Sequence, residues 1–435
     1  MAQIQAIKGF ADLFPAESAL FQRMEAAARA VFPRYAYGEL RTPLMEATEL
    51  FHRSIGAETD VVQKEMYSFA DAKGRSMTLR PEATAGVMRA YIEHGVAARE
   101  AISKFFTIGP MFRHERPQKG RMRQFHQINC ECLGPKEPEA DAELICMLME
   151  FLGALGLSGL TLHIKSLGCP QCRPAYRALL RNWLISLDPE ALCEDCRRRT
   201  ESNPLRVLDC KVPGCKENTA GAPHILDHQC PECSAHFEAV TRLLRARNIP
   251  FEIDHRLVRG LDYYTRTTFE VVSGNIGAQS SVAGGGRYDG LVSSLGGPDV
   301  AGLGFACGME RLALLMQEQD LPAPRPDFYL AALDDSCRDA AFSLAQDLRL
   351  AGLAGILGFE VRSVKSAMRQ ADKSRARFAL LLGQDELAGG TVMLKNMENG
   401  EQRAVPRAEA AARLAALSSP AATRPATAGT SGEHA

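Results

Sequence analysis

The segment GPMFRHERPQKGRMRQFHQ, residues 109–127, sets five Arg and Lys against one Glu, with alternating apolar residues on both sides of it. Alternation with period two marks half-buried strands, and a Gly/Pro-punctuated centre between two such runs predicts one long hairpin. Side chains two apart on a strand share a face. That rule groups Phe125 with Gln127, Asn129 and Glu131, and Arg113 with Glu115. A solvated face would tolerate this mixture. A binding face accounts for it better: a guanidinium suits phosphate, a ring suits a base, and acceptors suit a cationic substrate. The connection RPQKGRMR is basic and long enough to reach a polyanion.

Nothing in the overall composition anticipates that local charge. With 51 basic and 52 acidic residues, net charge announces no nucleic-acid or membrane partner. The length, 435 residues, suits about two to four domains. No run reaches the ~18 apolar residues of a membrane helix. The start, MAQIQAIKGFADLF, lacks the charged onset and apolar run of a secretion signal. No membrane association and a cytoplasmic location are therefore expected, and the thirteen cysteines read as reduced thiols or metal ligands.

Helical periodicity covers residues 18–32, with Ser18 as the expected cap, and residues 141–156. Residues 166–235 hold eight of the thirteen cysteines and read as an inserted domain. Strand-like segments and glycine-rich turns resume at Leu257 and run to a helix near 307–319. QDLPAPRPDF is a proline-rich linker, and Tyr329 to Leu417 alternates strand and helix patterns, as a small α/β domain with a partly parallel sheet would. The expected division is a catalytic domain in two parts, 1–165 and 241–320, around an insertion at 166–240, then a last domain at 327–417 and a disordered, low-complexity tail at 418–435. No internal repeat is present.

Other stretches fit the same site. LRPEATAG (79–86) offers Glu82, Ala83 and Thr84, and LVRGLDYYTRTTFEVVS (257–273) offers Arg259, Tyr263 and Tyr264, although a turn into a strand with core tyrosines would look alike. AGGGRYDGL (283–291) asks for close backbone approach at three consecutive glycines and carries Tyr288. It is no Walker loop, and no Rossmann fingerprint follows a strand. GLGFACGMERLALL puts Arg311 near the start of an apolar helix, where a surface arginine would also stand.

Together these segments resemble class II aminoacyl-tRNA synthetases, and specifically the histidyl-tRNA synthetase family, over nearly the whole chain. GELRTPLMEATELF is similar to motif 1, GPMFRHERPQKGRMRQFHQINCECLG to motif 2 and GFACGMERLALL to motif 3, while LVRGLDYYTRTTFE and AGGGRYDGL resemble the two segments peculiar to the histidine enzymes. The resemblance implies an α+β catalytic core with an antiparallel sheet (the class II synthetase fold), a Cys-rich insertion and a C-terminal α/β anticodon-binding domain. It implies a histidine–tRNA ligase that uses ATP with Mg²⁺, L-histidine and tRNA(His), through a histidyl-adenylate, and a homodimer built around Pro43. Carried over, Arg113, Arg259 and Arg311 would be catalytic. Arg113 would hold the α-phosphate, Phe125 would stack on adenine, Arg311 and Arg121 would take the outer phosphates, and Glu115 belongs to the same ATP site. Glu82, Thr84 and Gln127 would surround the histidine ammonium, Glu131 and Tyr264 would hydrogen-bond the imidazole, and Ala83, Tyr263 and Tyr288 complete that pocket. Arg259 would bridge the substrate carboxylate and the α-phosphate. Arg116, Gln118 and Lys119 in the hairpin loop would reach tRNA.

Six basic residues against one acidic between Val361 and Arg377 fit either a solvated helix or a phosphate-contacting one, and the implied RNA partner favours the second. A catalytically inactive paralogue that regulates the first enzyme of histidine biosynthesis, or an RNA-sensing module like the synthetase-like domain of some kinases, would not keep Arg113, Arg259, Arg311 and the last domain together. No segment for an editing domain is evident. No residue is firmly assigned to a metal. Cys169-x₂-Cys172 and Cys193-x₂-Cys196, 20 residues apart, have zinc spacing, with Cys210, Cys215, Cys230 and Cys233 as a second quartet. A metal-free domain with buried thiols fits the same spacing. In the enzymes this chain resembles the domain sits beside the acceptor arm, so a metal there would act by shaping a tRNA contact, not by catalysis.

Overall fold

The computed structural model describes residues 3–56, 59–258, 261, 263–274, 281–317 and 325–418. The expected tail lies outside them but for Ser418. The chain forms two compact units, residues 1–321 and 322–435. No helix among the described residues is long and apolar enough to cross a membrane.

In the first unit eight strands make one sheet: β1 (Gly38–Glu39), β2 (Ser103–Phe112), β3 (Gln124–Gly134), β4 (Leu160–Ser166), β5 (Glu252–Ile253), β6 (Thr265–Ser273), β7 (Ser281–Arg287) and β8 (Ala301–Gly308). Their order across the sheet is β1-β2-β3-β8-β7-β6-β4-β5. The six long strands pair antiparallel, and only the two short edge strands, β1 on β2 and β5 on β4, run parallel. The hairpin is β2 and β3, in register from Ser103↔Leu133 to Phe112↔Gln124.

One face of this sheet is covered. Helix α1 (Pro15–Val31) presents Phe21, Met24, Ala28 and Val31, a stripe at helical spacing, and all four are buried. It starts three residues before Ser18, with Pro15 in its first turn, where the missing N–H costs nothing. The expectation that Ser18 caps it is thus overturned: Ser18 Oγ turns back to the Pro15 carbonyl, 3.4 Å away. After α2 (Thr84–Glu93) on the other side comes α3 (Pro138–Ala154), apolar nearly all round as a helix sandwiched between layers must be. Beyond α4 (Cys172–Ile185), helix α5 (Pro231–Ala246) lends Phe237, Val240 and Leu244 to the same core, and α6 (Met309–Gln317) lends Met309, Leu312 and Met316. The Cys-rich stretch between β4 and β5 has a smaller core of its own, around Tyr176, Leu180, Leu184, Val207, Leu208 and Ile225.

The AGGGRYDGL segment runs along β7. A Cβ at Gly285 would stand 2.8 Å from Phe269 Cζ and from Phe305 Cα, so only glycine lets the three strands close. The arginine that follows is wholly buried: Arg287 meets the Asp141 carboxylate of α3, the Pro135 carbonyl at 2.8 Å and Asp289 at 3.2 Å. Burial alone would raise the Asp141 carboxyl, but the His236 ring nitrogen 3.4 Å away and the Arg287 guanidinium hold it below the usual range.

The second unit is a five-stranded sheet. Strand β9 (Phe328–Ala332) lies between β10 (Gly355–Gly358) and β11 (Phe378–Leu382), parallel to both, and β12 (Thr391–Asn396) and β13 (Gln402–Pro406) add antiparallel. Helices α7 (Arg338–Leu350), α8 (Val364–Lys373) and α9 (Arg407–Ser418) cover it. α8 buries Ala367 and Ala371 and leaves Lys365, Arg369 and Lys373 exposed.

The buried Asp141–Arg287 pair generates a stability prediction. Asp141→Asn or Arg287→Met alone strands one partner and should cost about 3–5 kcal/mol in urea unfolding, whereas Asp141→Leu combined with Arg287→Met should recover most of that loss. Single variants as stable as the wild type would mean the pair does not anchor β7 to α3.

Candidate active site

Strand β3 carries the site. Ile128, Cys130 and Cys132 point into the core, and Phe125, Gln127, Asn129 and Glu131 line a cavity of about 730 Å³ on the open face. The neighbouring strand β8 sets Gly304, Ala306 and Gly308 opposite Glu131, Asn129 and Gln127. Small residues beside large polar ones leave the cavity its depth. A Cβ at Gly304 would run into the Glu131 carboxylate and stand 2.5 Å from the Cys130 carbonyl oxygen.

At one end the start of α2 supplies the polar groups. Buried Glu82 accepts the backbone N–H of Thr84 at 2.8 Å and of Ala85 at 2.7 Å, two of the donors that a helix start leaves unmatched. Burial pushes its carboxyl up, against those bonds and the charge of Arg113. Ala83, at the helix N-cap, is buried beside it. Thr84 Oγ1 donates to Glu131 Oε1 at 2.7 Å, and the Tyr288 hydroxyl donates to Oε2. Burial pushes the Glu131 carboxyl up to about 8; both hydroxyls lower it and the Glu82 charge raises it. Three rings wall this end, with centroids 4.7 Å apart for Tyr263 and Tyr264, 5.5 Å for Tyr263 and Tyr288, and 6.4 Å for Tyr264 and Tyr288. Burial keeps the Tyr263 and Tyr288 hydroxyls protonated, as donors. Gln127 Oε1 is buried without a hydrogen-bond partner among the described residues, an acceptor suited to an incoming N–H.

The other end is cationic. Strand β2 stops at Phe112, so Arg113 and Glu115 follow the strand instead of lying on it. The backbone N–H of Arg113 still reaches the Arg123 carbonyl at 2.8 Å, which prolongs the hairpin. Arg113 Nε donates to the Pro81 carbonyl at 2.9 Å, and its guanidinium stands 5.4 Å over the Phe125 ring. Glu115 lies between Arg113, 3.8 Å away, and Arg121. Arg311 enters from the first turn of α6, its Nη1 donating to the Ser281 carbonyl at 2.6 Å and its Nε near the Gly120 carbonyl at 3.4 Å. Burial disfavours the charge on Arg121, Glu65 opposes that, and Arg113 adds to it. Three guanidiniums lining one end of the cavity, two of them beside Glu115, make an anion site.

The loop between them is a tight turn in which Gln118 and Arg121 exchange backbone hydrogen bonds at 3.0 and 2.8 Å, with Gly120 at φ +73°. Arg116, Gln118 and Lys119 point to solvent. Arg259 lies outside the described residues. The turn that precedes it is docked on the insertion, where Arg256 donates to the Thr219 carbonyl at 3.1 Å and hydroxyl at 2.9 Å.

Two carboxylates in this region escaped the sequence reading. Glu310, beside Arg311, accepts the backbone N–H of His126 with both oxygens at 2.9 Å, tying α6 to β3. Glu270 of β6 faces the cavity opposite Gly284, a placement that the alternation in TTFEVVS signals.

The cysteines group otherwise than their spacing suggested. Cys169 and Cys172 meet Cys230 and Cys233, and Cys193 and Cys196 meet Cys210 and Cys215, with the sulfurs of each quartet all within 4.8 Å. The expected pairing of Cys169 and Cys172 with Cys193 and Cys196 is overturned, because the helix between the two CxxC pairs carries them apart while the chain returns to its own starting point at Cys230. Each quartet could hold a metal ion.

Residues 9–312 match the model of the family described as "Histidyl-tRNA synthetase", and residues 327–417 match the one described as "Anticodon binding domain". A protein of Nitratidesulfovibrio vulgaris (strain DP4) named "Histidine--tRNA ligase" is 67% identical over 416 residues, 96% of this chain and 99% of that protein. One of the same name from Oleidesulfovibrio alaskensis is 64% identical over 93% of this chain and 97% of its own length. Among solved structures, the crystal structure of the apo S. aureus histidyl-tRNA synthetase aligns with a TM-score of 0.78 at 33% identity, covering 95% of this chain and all of that one. With a class II sheet, its site on the open face and an anticodon-binding module behind a proline-rich stretch, the chain belongs to the histidyl-tRNA synthetase family and is an aminoacyl-tRNA synthetase, a ligase.

Proposed function

We propose that this cavity joins L-histidine to tRNA(His) in two steps. A carboxylate oxygen of histidine attacks the α-phosphorus of ATP, the bond to the β-phosphate oxygen breaks, and diphosphate leaves. A ribose hydroxyl at the tRNA end then attacks the carbonyl of the histidyl-adenylate and displaces AMP. The observation that carries this reading is one cavity with three guanidiniums at one end and carboxyls boxed by tyrosines at the other.

The first step brings two anions together, and negative charge gathers on the phosphoryl oxygens. Fixed guanidiniums lower that barrier without reorganising, and one lost donor of this kind commonly costs ~3 kcal/mol. Arg113, anchored on the Pro81 carbonyl, serves the α-phosphate together with Arg259, which also meets the histidine carboxylate. Phe125, already covered on one side by Arg113, stacks on adenine. Arg121 and Arg311 take the outer phosphates, and Glu115 holds the first of these in place. Mg²⁺ accompanies the ATP and neutralises part of its charge. Glu82, Thr84 and the unmatched Gln127 oxygen receive the ammonium, and Ala83 shapes the wall there. Glu131 and Tyr264 hydrogen-bond the imidazole, and Tyr263 and Tyr288 hold that carboxyl in its box. An amino acid without imidazole N–H groups would leave these buried groups unpaired, which suffices for discrimination without editing.

The exposed Arg116, Gln118 and Lys119 reach the tRNA acceptor end. The basic face of α8 contacts phosphates on the anticodon side. The chain works as a homodimer in the cytoplasm, joined around Pro43, where Leu44 and, on the small three-stranded sheet of Met45–Ala47, Ser76–Leu79 and Tyr67–Ala70, Met45 and Phe69 are each 44% exposed and offer apolar surface to a partner. The functional division is catalytic residues 1–165 and 241–320, an insertion at 166–240 that holds structural Zn²⁺, and anticodon binding at 327–417. The deciding experiment is ATP–diphosphate exchange with and without histidine, followed by charging of tRNA(His). Exchange that ignores histidine refutes the reading.

Glu131 predicts a pH signature. Its folded value of about 8 lies above the ordinary 4.5, so the folded protein keeps a proton that the unfolded chain releases. That stabilisation is full below 4.5 and is lost as pH rises through about 8. Without substrates, the melting temperature of the wild type should therefore fall relative to that of Glu131→Gln between about pH 5 and pH 9. The same variant should lose about a hundredfold or more in histidine-dependent exchange. Parallel pH profiles for the two proteins would contradict it.

A chain ending at Leu321 should keep histidine-dependent exchange within about threefold of the full chain and lose about tenfold or more in kcat/KM for tRNA(His) charging. Equal charging by the two proteins would remove the anticodon role from the second unit.

A further inference from the structure

We propose that the insertion binds two zinc ions, each held by four thiolates, and that the ion at its root sets the position of the tyrosine wall in the histidine site. Only the catalytic readout of this inference rests on the histidine reading above.

Four thiolates about 2.3 Å from one zinc lie about 3.8 Å from one another. At the root quartet Cys169 and Cys172 are 3.4 Å apart, Cys169 and Cys230 3.9 Å, and Cys172 and Cys233 3.7 Å. In the outer quartet Cys193 and Cys210 are 3.9 Å apart. Such centres fit one ion and are too tight for a cluster of iron and sulfide. The thiols are all free. In each quartet a backbone N–H points at a sulfur, Cys230 at Cys172 Sγ (3.3 Å) and Cys193 at Cys215 Sγ (3.1 Å), as thiolates bound to metal require of their surroundings. Buried cysteines elsewhere in this unit, Cys130, Cys132 and Cys307, serve as small apolar side chains in the large core. The root quartet does not: among the described residues, Cys169, Cys172, Cys230 and Cys233 form an apolar cluster with no other member. Four thiols that turn their sulfurs on one another, outside either larger apolar core, are placed as an ion would join them.

The root quartet is wired to the histidine site by three contacts. Arg173, next to Cys172, donates from Nη1 to the Tyr264 carbonyl at 2.9 Å. Arg266 donates its N–H to the Gly168 carbonyl at 2.9 Å, and its own carbonyl accepts the Leu167 N–H at 2.7 Å. Glu232, inside the Cys230–Cys233 turn, approaches the Arg266 guanidinium at 3.7 Å. Arg266 sits at φ +48°, a conformation that residues with a Cβ avoid, so the neighbouring contacts must hold it there. Tyr264, two residues earlier, contributes a ring to the site. An ion that fixes both CxxC turns therefore fixes both ends of this short path, and Arg173 acts as a positioning residue.

Metal analysis of the full chain purified without chelator should find about two zinc per chain, and less than about one, or iron in its place, overturns the proposal. C230S/C233S should keep about one zinc and raise the histidine KM in exchange about tenfold while the ATP KM stays within about twofold. Amide hydrogen exchange over residues 263–266 should quicken in that variant with no substrate present, which reads the coupling even if exchange activity were absent and the catalytic reading had failed. Arg173→Ala should keep both ions and raise the histidine KM, with Arg173→Lys recovering part of the loss; this pair decides if the double variant does not fold. Full zinc in C230S/C233S, or an unchanged histidine KM and unchanged amide exchange in Arg173→Ala, overturns the coupling.

Discussion

The catalytic unit depends on one strand having two faces of opposite chemistry. Along β3 the residues alternate between Ile128, Cys130 and Cys132 on one side and Gln127, Asn129 and Glu131 on the other. Because the period is two, a slip of one residue against β8 would bury the carboxylate among phenylalanines and expose the core. Register is thus enforced by the cost of exchanging the faces. The glycines of β8 reinforce it, since only in this register does Gly304 lie opposite Glu131. The same alternation that makes the strand fold also aims Gln127, Asn129 and Glu131 into the cavity.

Charge is separated along the cavity. The arginines stand beside the turn and the first residues of α6, with backbone carbonyls as their partners, while the carboxyls stand in the tyrosine box at the start of α2. Backbone carbonyls orient the Arg113 and Arg311 guanidiniums, while the Glu115 carboxylate lies between Arg113 and Arg121. The carboxyl of Glu131 is held differently, by two hydroxyls and by desolvation that lifts it to about 8. Poised near neutrality, it can meet a ligand group as either acceptor or donor. Both arrangements are fixed before substrate arrives, which is where the electrostatic advantage of a preorganised site lies.

Much of this was legible in residue order. Period-two alternation predicted the hairpin and the face shared by Phe125, Gln127, Asn129 and Glu131, and the glycine run predicted close strand approach at β7. What stayed hidden depends on where distant segments meet. Nothing near Ser18 says that Pro15 already starts the helix and leaves the serine inside it. Nothing local says that Asp141 receives Arg287, or that Glu310 accepts the backbone N–H of His126, since both partners lie more than a hundred positions away along the chain. Cysteine spacing picked out the CxxC pairs but joined them in sequence order, whereas the chain closes Cys169 and Cys172 onto Cys230 and Cys233.

That closure follows from sheet topology. The insertion leaves from the end of β4, and β4 lies antiparallel beside β6, with Ser166 opposite Thr267. The first residues of the excursion are therefore neighbours of the segment that delivers Tyr263 and Tyr264, whatever the insertion does further out. β5, the strand that follows the excursion, is only Glu252–Ile253, and the return is held mainly by α5, whose Phe237, Val240 and Leu244 lie in the large core. Joining the ends at the root adds a second tie there, at a loop-closure cost that grows only as the logarithm of the length. Since the sheet puts Tyr264 at that root, whatever clamps the insertion also bears on the tyrosine-walled end of the cavity.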